Sequence, residues 1–228
     1  MSFTIKENIE NMNRSIEEAA KKSGRKREDI TLMAVSKTMS LDKAIEAAST
    51  GVILGENYVQ EFVSKYEQKP DLPWHFIGHL QKNKVKYIVG KAAMIHSVDS
   101  LELAEKINAE AMKRNITVSC LLEINAACEN SKFGLTIESA QYIIKDMEKL
   151  ENISVRGFMT VAPFVTDPEE NRCIFRKMYR LFKECQEENQ GIDTLSMGMS
   201  SDYTVAVEEG STIVRIGTAI FGERNYNK

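Results

Sequence analysis

A single (β/α)8 barrel is the fold class this sequence predicts, and three observations predict it. Eight short apolar runs rich in β-branched residues recur along the chain. Helical patterns separate them, so the order is strand, loop, helix throughout. The length, 228 residues, is near the roughly 250 typical of one such barrel, and residues 1–228 are read as one domain. An open doubly wound sheet is assembled from the same units; eight strands favour closure.

An additional helix, roughly Ile5 to Ser23, precedes the first strand and is expected to cap the N-terminal side of the barrel. Ile30 to Val35 is the first strand, ending at Ser36-Lys37-Thr38, and the next helix starts at Leu41 with Ser40 as N-cap. The remaining strands are expected at Val52 to Leu54, Trp74 to Ile77, Ala93 to Val98, Val118 to Ile124, Val155 to Val161, Thr194 to Met197 and Ile213 to Ile216. Between them lie helices at Leu41 to Ala48, Val59 to Gln68, Lys82 to Val89, Leu101 to Arg114, Ile137 to Leu150, Pro168 to Asn189 and Tyr203 to Glu209. The sharpest helix start is Asp167 as N-cap with Pro168 at the first position and Glu169 and Glu170 beside the positive end of the dipole. Ile174, Met178, Leu181, Phe182 and Cys185 then recur at helical spacing as a packing stripe. The chain stops at Lys228, soon after the eighth strand, so no second domain is expected after the barrel.

Composition narrows the function classes. Hydrophobic residues are 43%, charged residues 28% and the formal net charge is -3, an ordinary soluble profile that favours neither nucleic acid nor an anionic membrane. Lys21, Lys22, Arg25, Lys26 and Arg27 fall at a polar helix end and read as a solvated surface. Cys120, Cys128, Cys173 and Cys185 form no C-x-x-C pair and no disulfide spacing, so a reducing, cytoplasmic setting is expected. No stretch approaches the roughly 18 consecutive apolar residues of a spanning helix, and no apolar leader stands at the start. His75 and His79 lack metal-ligand spacing, His96 reads as a satisfied core histidine, and no metal site is expected. The glycines form neither G-x-G-x-x-G nor a P-loop, so nucleotide chemistry is not indicated.

Barrel active sites form where strands end, so the residues after each apolar run carry the chemistry. Lys37 closes the first strand; partial burial there disfavours an ammonium and frees an amine for imine formation with a carbonyl. A lysine merely snorkelling at a strand end is the plainer alternative and, for this residue alone, the stronger one. Ser196 to Asp202 after strand seven and Gly217-Thr218 after strand eight shift that balance. Loops at those two positions, leading into helix N-termini, are the usual phosphate site of a barrel. Two ordinary turns with serine caps are the competing account. Arg215, two residues before Gly217, shares its face by period-two alternation; it either meets a ligand or pairs with an inward carboxylate.

Several motifs together resemble the pyridoxal phosphate homeostasis protein family. They are Ala34-Val35-Ser36-Lys37, Gly55 to Glu61, Trp74 to Gln81 with Asn83-Lys84, and His96 to Ser100. Ser131 to Gly134, Met159 to Pro163, Ser196 to Asp202 and Val214 to Gly222 continue the likeness across nearly the whole chain. Asn125-Ala126-Ala127-Cys128 departs from it.

The resemblance implies a barrel like the N-terminal domain of alanine racemase, the type III fold of pyridoxal phosphate enzymes, with pyridoxal 5'-phosphate (PLP) held as a Schiff base on Lys37. It implies phosphate contacts from Ser200, Ser201, Gly217 and Thr218, a ring-nitrogen contact from Arg215, and a pocket lined by Asn57, His79 and Met199. Lys132 reads as an exposed lysine or as a secondary acceptor. An arginine at the ring nitrogen weakens the ring as an electron sink, so tight holding and weak turnover follow.

The function expected is therefore intracellular PLP homeostasis without robust catalysis, with apo PLP-dependent enzymes as possible recipients and a monomeric chain. A PLP-dependent amino-acid racemase of the same fold is the alternative, and a class I aldolase using Lys37 is a third. The racemase carries a requirement for a second domain with a tyrosine base.

Overall fold

The computed structural model describes residues 4–129 and 133–222. Among them, eight parallel strands close in sequence order: β1 (Thr31–Val35), β2 (Ile53–Glu56), β3 (Trp74–Phe76), β4 (Met94–Val98), β5 (Val118–Glu123), β6 (Ile153–Met159), β7 (Thr194–Ser196) and β8 (Ile213–Ile216). β8 pairs with β1 over Thr31↔Ile213 to Ala34↔Ile216, so no open edge remains. The helices are α1 (Ile5–Lys22), α2 (Leu41–Ala48), α3 (Val59–Gln68), α4 (Val85–Ile88), α5 (Leu101–Lys113), α6 (Ile137–Met147), α7 (Arg172–Glu188), α8 (Tyr203–Glu208) and α9 (Thr218–Phe221). None is long and apolar enough to cross a membrane.

Every expected strand is present, with shifted ends. β2 runs on through Gly55 and Glu56, because Glu56 turns outward beneath α3, where a lysine meets its charge. β6 stops at Met159 rather than Val161: the Thr160 N-H still donates to the Ser196 carbonyl, but its own carbonyl turns to a side chain of β8. Lys82 to Val89 divides into a 3-10 turn and α4, and α7 is preceded by a 3-10 turn over Pro168–Asn171. Asp167 does cap that turn, accepting from the Glu169 N-H at 3.0 Å. Ser40 sits at the N-cap of α2 but makes no side-chain capping bond.

The expectation for the first helix is corrected. α1 packs against α2, α8 and α9 in the outer helical layer rather than across the N-terminal opening. A barrel of this kind places a helix after β8 at that point, yet α9 has only four residues. The side of α1 carrying Ile9, Ile16, Ala19 and Ala20 fills the position, and Asn8 Nδ2 ties it to the Ile220 carbonyl at 2.9 Å.

Side-chain alternation sorts each strand into two faces. Leu32, Ala34, Trp74, Phe76, Ile95, Leu122, Leu195, Val214 and Ile216 face the helices in the main apolar core. Met33, Val35 and Ile213, with Ile53 and Ile77, form a small separate cluster inside the barrel. The residues between the outward ones therefore point inward, among them His75, His96, Glu123, Ser196 and Arg215. One side of the interior is apolar and the other is polar.

Candidate functional site

A cavity of about 560 Å³ opens where the strands end, lined by Val35, Lys37, Asn57, Ile77, Val161, Phe164, Met199, Ser200, Ser201, Arg215, Gly217 and Thr218. Of the nine residues expected at the site, eight are brought together here: Lys37, Asn57, Met199, Ser200, Ser201, Arg215, Gly217 and Thr218. His79 is not among the lining residues. Its Nδ1 lies 3.2 Å from Asp99 Oδ2, and its ring stacks on Phe133 with centroids 3.7 Å apart, because it leaves the β3 end toward the β4 side of the mouth. Lys132 lies outside the described residues.

The loop after β7 is shaped by Gly198 and Asp202. Gly198 has φ +93, and a Cβ there would stand 2.6 Å from the Ala206 Cβ, so only glycine lets the loop lie against α8. Asp202 is buried; its Oδ1 accepts from the Met199 N-H at 2.7 Å and its Oδ2 from Asn171 Nδ2 at 2.8 Å. This brace closes the turn and leaves the N-H groups of Ser200 and Ser201 without partners among the described residues. Across the cavity wall, the N-H groups of Gly217 and Thr218 at the start of α9 are likewise without partners. Four amide donors on adjacent strand ends suit a multi-oxygen anion.

Arg215 is buried at 5% exposure. Its Nη1 donates to Ser196 Oγ at 2.7 Å and its Nη2 to the Thr160 carbonyl at 2.8 Å. Among the described residues no carboxylate forms an ion pair with it, so the inward-carboxylate alternative is not what holds it. Burial pulls its pKa down to about 10, with Asp202 and Glu123 opposing, which leaves it cationic at neutral pH.

The hydroxyl of Ser196 continues a chain into the interior. His96 Nδ1 lies 3.2 Å from it, and His96 Nε2 lies 2.9 Å from His75 Nδ1. Ser196 Oγ accepts from Arg215 and also meets His96 Nδ1, so the hydroxyl links the guanidinium to the pair of imidazoles. Both imidazoles are neutral: burial lowers His75 to about 4 and His96 well below its ordinary value, with the neighbouring His75 and Arg215 adding to the latter. Glu123, also inward, is raised to about 7 by burial first and by Asp99 second, with Arg215 opposing, and its Oε2 has no hydrogen-bond partner. The satisfied-core reading of His96 is what the geometry shows, but its partners lead to Arg215. Strand alternation was the signal that could have found Ser196, His75 and Glu123.

Lys37 follows β1, the strand that pairs with β8, and is half-buried in the same cavity lining as Val35 and Asn57. The Asn57 Oδ1 is buried in the cavity wall without a hydrogen-bond partner. An amine after β1, a cation on β8 and four amides after β7 and β8 line one cavity, a set that suits a ligand carrying both a carbonyl and a phosphate. No cluster of three or more His, Cys, Asp or Glu suited to a metal occurs among the described residues.

Residues 5–225 match the family model described as alanine racemase, N-terminal domain. A pyridoxal phosphate homeostasis protein from Aquifex aeolicus is 45% identical over 215 residues, spanning 92% of this chain and 94% of that one. The chain belongs to the pyridoxal phosphate homeostasis protein family. Two solved structures are similar over most of both chains. A protein from Bifidobacterium adolescentis described as unknown superposes with a TM-score of 0.91 at 34% identity, covering 95% of this chain and 94% of that one. PipY of Synechococcus elongatus, solved with PLP bound, superposes with a TM-score of 0.76 at 33% identity, covering 85% and 93%. The family and the barrel expected from the motifs are both shown.

Proposed function

We propose that this chain holds PLP in the cavity at the ends of β1, β7 and β8, and that it buffers and delivers the cofactor rather than turning over a substrate. The observation that carries the reading is that Lys37, the Arg215 guanidinium and four amide N-H groups without partners among the described residues all belong to one cavity. The family's name and the PLP bound in PipY support it. When bound, PLP supplies an aldehyde that condenses with a primary amine and a ring that draws charge toward its nitrogen.

Each residue then has a task. Lys37 offers the amine at the end of β1. The amides of Ser200, Ser201, Gly217 and Thr218 bind the phosphate, and the small side chains permit close approach. Arg215, held by Ser196 and Thr160, presents a fixed positive charge to the ring nitrogen and opposes its protonation, so charge withdrawal is weak. Val35, Ile77 and Met199 exclude water from the ring faces. Asn57 lines the same wall. Residues 1–228 act on this reading as one cofactor-binding barrel, monomeric and cytoplasmic, with apo PLP-dependent enzymes as recipients.

The deciding experiment is an absorbance spectrum of the purified protein before and after borohydride, with the labelled peptide identified. A reduced adduct on Lys37 supports the reading, and a colourless protein without it defeats it. The racemase alternative is tested by isotope exchange at the α-carbon of several amino acids, where rapid exchange would establish turnover.

A further inference from the structure

Behind Lys37, between β2 and α3, lies a buried charged cluster that no step above uses. Lys65 of α3 is 6% exposed and Glu56 of β2 is 0% exposed. The Lys65 ammonium makes three bonds: to Glu56 Oε1 at 2.6 Å, to Glu61 Oε1 at 2.7 Å and to the backbone carbonyl of Ser36 at 2.8 Å. Its three N-H donors are thereby all used. Ser36 Oγ also donates to Glu56 Oε1 at 2.6 Å, and Glu61 Oε1 accepts from the Thr38 N-H at 2.7 Å.

These bonds converge on one residue that makes none of them. Ser36 and Thr38 are the chain neighbours of Lys37, so the two peptide planes that flank Lys37 are each tied to the cluster, one by its carbonyl and the other by its N-H. Thr38 has φ +65, a left-handed conformation that a β-branched residue adopts only under constraint. Burying an ammonium and a carboxylate here costs desolvation that the pair alone need not repay, so a structural role is a weak account of why they stand at this place.

We propose that Lys65 and Glu61 are positioning residues for Lys37: they hold its backbone so that Nζ meets the cofactor's aldehyde carbon in the cavity. The proposal rests on the reading of Lys37 given above. In the step concerned, the Nζ lone pair adds to the aldehyde carbon and a C=N bond replaces C=O. The oxygen leaves as water, carrying the two hydrogens of the amine. Neither Lys65 nor Glu61 touches the cofactor; each acts through the backbone on either side of Lys37.

The test separates positioning from general support by using two ligands on the full chain. PLP condenses with Lys37, whereas pyridoxine 5'-phosphate carries an alcohol in place of the aldehyde and reports only the phosphate and ring contacts. Lys65→Met removes the ammonium at similar volume. It is expected to weaken imine formation by about tenfold or more, ~1.4 kcal/mol, while pyridoxine 5'-phosphate affinity stays within about twofold. Glu61→Ala, which deprives the Thr38 N-H of its acceptor, should do the same. Glu61→Gln keeps an acceptor there and should recover most of the loss.

Wild-type imine formation in Lys65→Met and Glu61→Ala overturns the proposal. Equal loss of both ligands overturns it as well, since that outcome reports a collapsed cavity. Should Lys65→Met fail to fold, the two Glu61 variants decide, because that side chain lies at the cluster's partly exposed rim. Absence of any Lys37 adduct in the wild type would overturn the cofactor reading itself, and the positioning role with it.

Discussion

Arg215 donates to the hydroxyl of Ser196 at 2.7 Å inside the barrel, on the side where the interior is polar. That hydroxyl also meets His96, so it is the joint between the cation and the imidazole pair. Ser196→Ala strands a buried guanidinium N-H and a buried ring nitrogen together. Unfolding in urea should show a loss of ~1–3 kcal/mol, the cost of unmet buried groups. No loss would mean that Arg215 finds another acceptor.

Lys37→Ala should abolish the adduct that borohydride fixes, while the amides of Ser200, Ser201, Gly217 and Thr218 retain some cofactor non-covalently. Peptide mapping of the reduced protein checks this. The same adduct persisting in the variant would place the imine on another lysine.

Arg215→Ala should change the absorbance of the bound cofactor and weaken its affinity by about tenfold or more, ~1.4 kcal/mol. Circular dichroism should remain native, because Arg215 is held by a hydroxyl and a carbonyl rather than by a buried carboxylate left without its partner. Global unfolding would show that the guanidinium is needed for the barrel itself.

The two inner histidines predict a loss of stability in acid. Their folded pKa values are depressed, His75 to about 4 and His96 well below the ordinary value, so the unfolded chain takes up protons first. Their contribution is complete above about pH 6.5 and is lost as pH falls, at about 1.4 kcal/mol per pH unit for each. Denaturation midpoints measured between pH 7 and 4.5 should fall steadily.

Glu123 carries the opposite sign. Its folded pKa is raised to about 7, so its contribution is complete below the ordinary value of 4.5 and is lost as pH rises through 7. Glu123→Gln keeps the shape without the charge and should stabilise the protein at pH 8 by ~1–3 kcal/mol. The difference should vanish below about pH 4.5. A variant equally stable at both pH values would show that Glu123 is ionised and solvated.

Much of the barrel was legible because strand and helix periodicities differ, and the eight apolar runs fall where β1 to β8 lie. Cavity residues were legible from strand ends and from motif resemblance. Glu56 and Glu61 fall within the Gly55 to Glu61 motif, but their joint pairing with Lys65 was not legible, since only the packing of α3 on β2 brings the three under Ser36 and Thr38. His79 misled for a related reason. Its position after β3 is that of a lining residue, but Asp99 and Phe133 turn it aside, and neither contact is encoded by local spacing. α1 was recognisable as a helix, whereas its docking depended on the shortness of α9.

That docking also bears on how the chain is made. α1 precedes the barrel strands, yet two of the surfaces that cover it, α8 and α9, follow β7 and β8 in the chain. Until Ile213 to Ile216 pair with β1, the apolar side of α1 lacks part of its cover, and β1 has one open edge. Nascent chains paused before residue 216 would leave both surfaces open at once, so the barrel closes only when its last strand has been made.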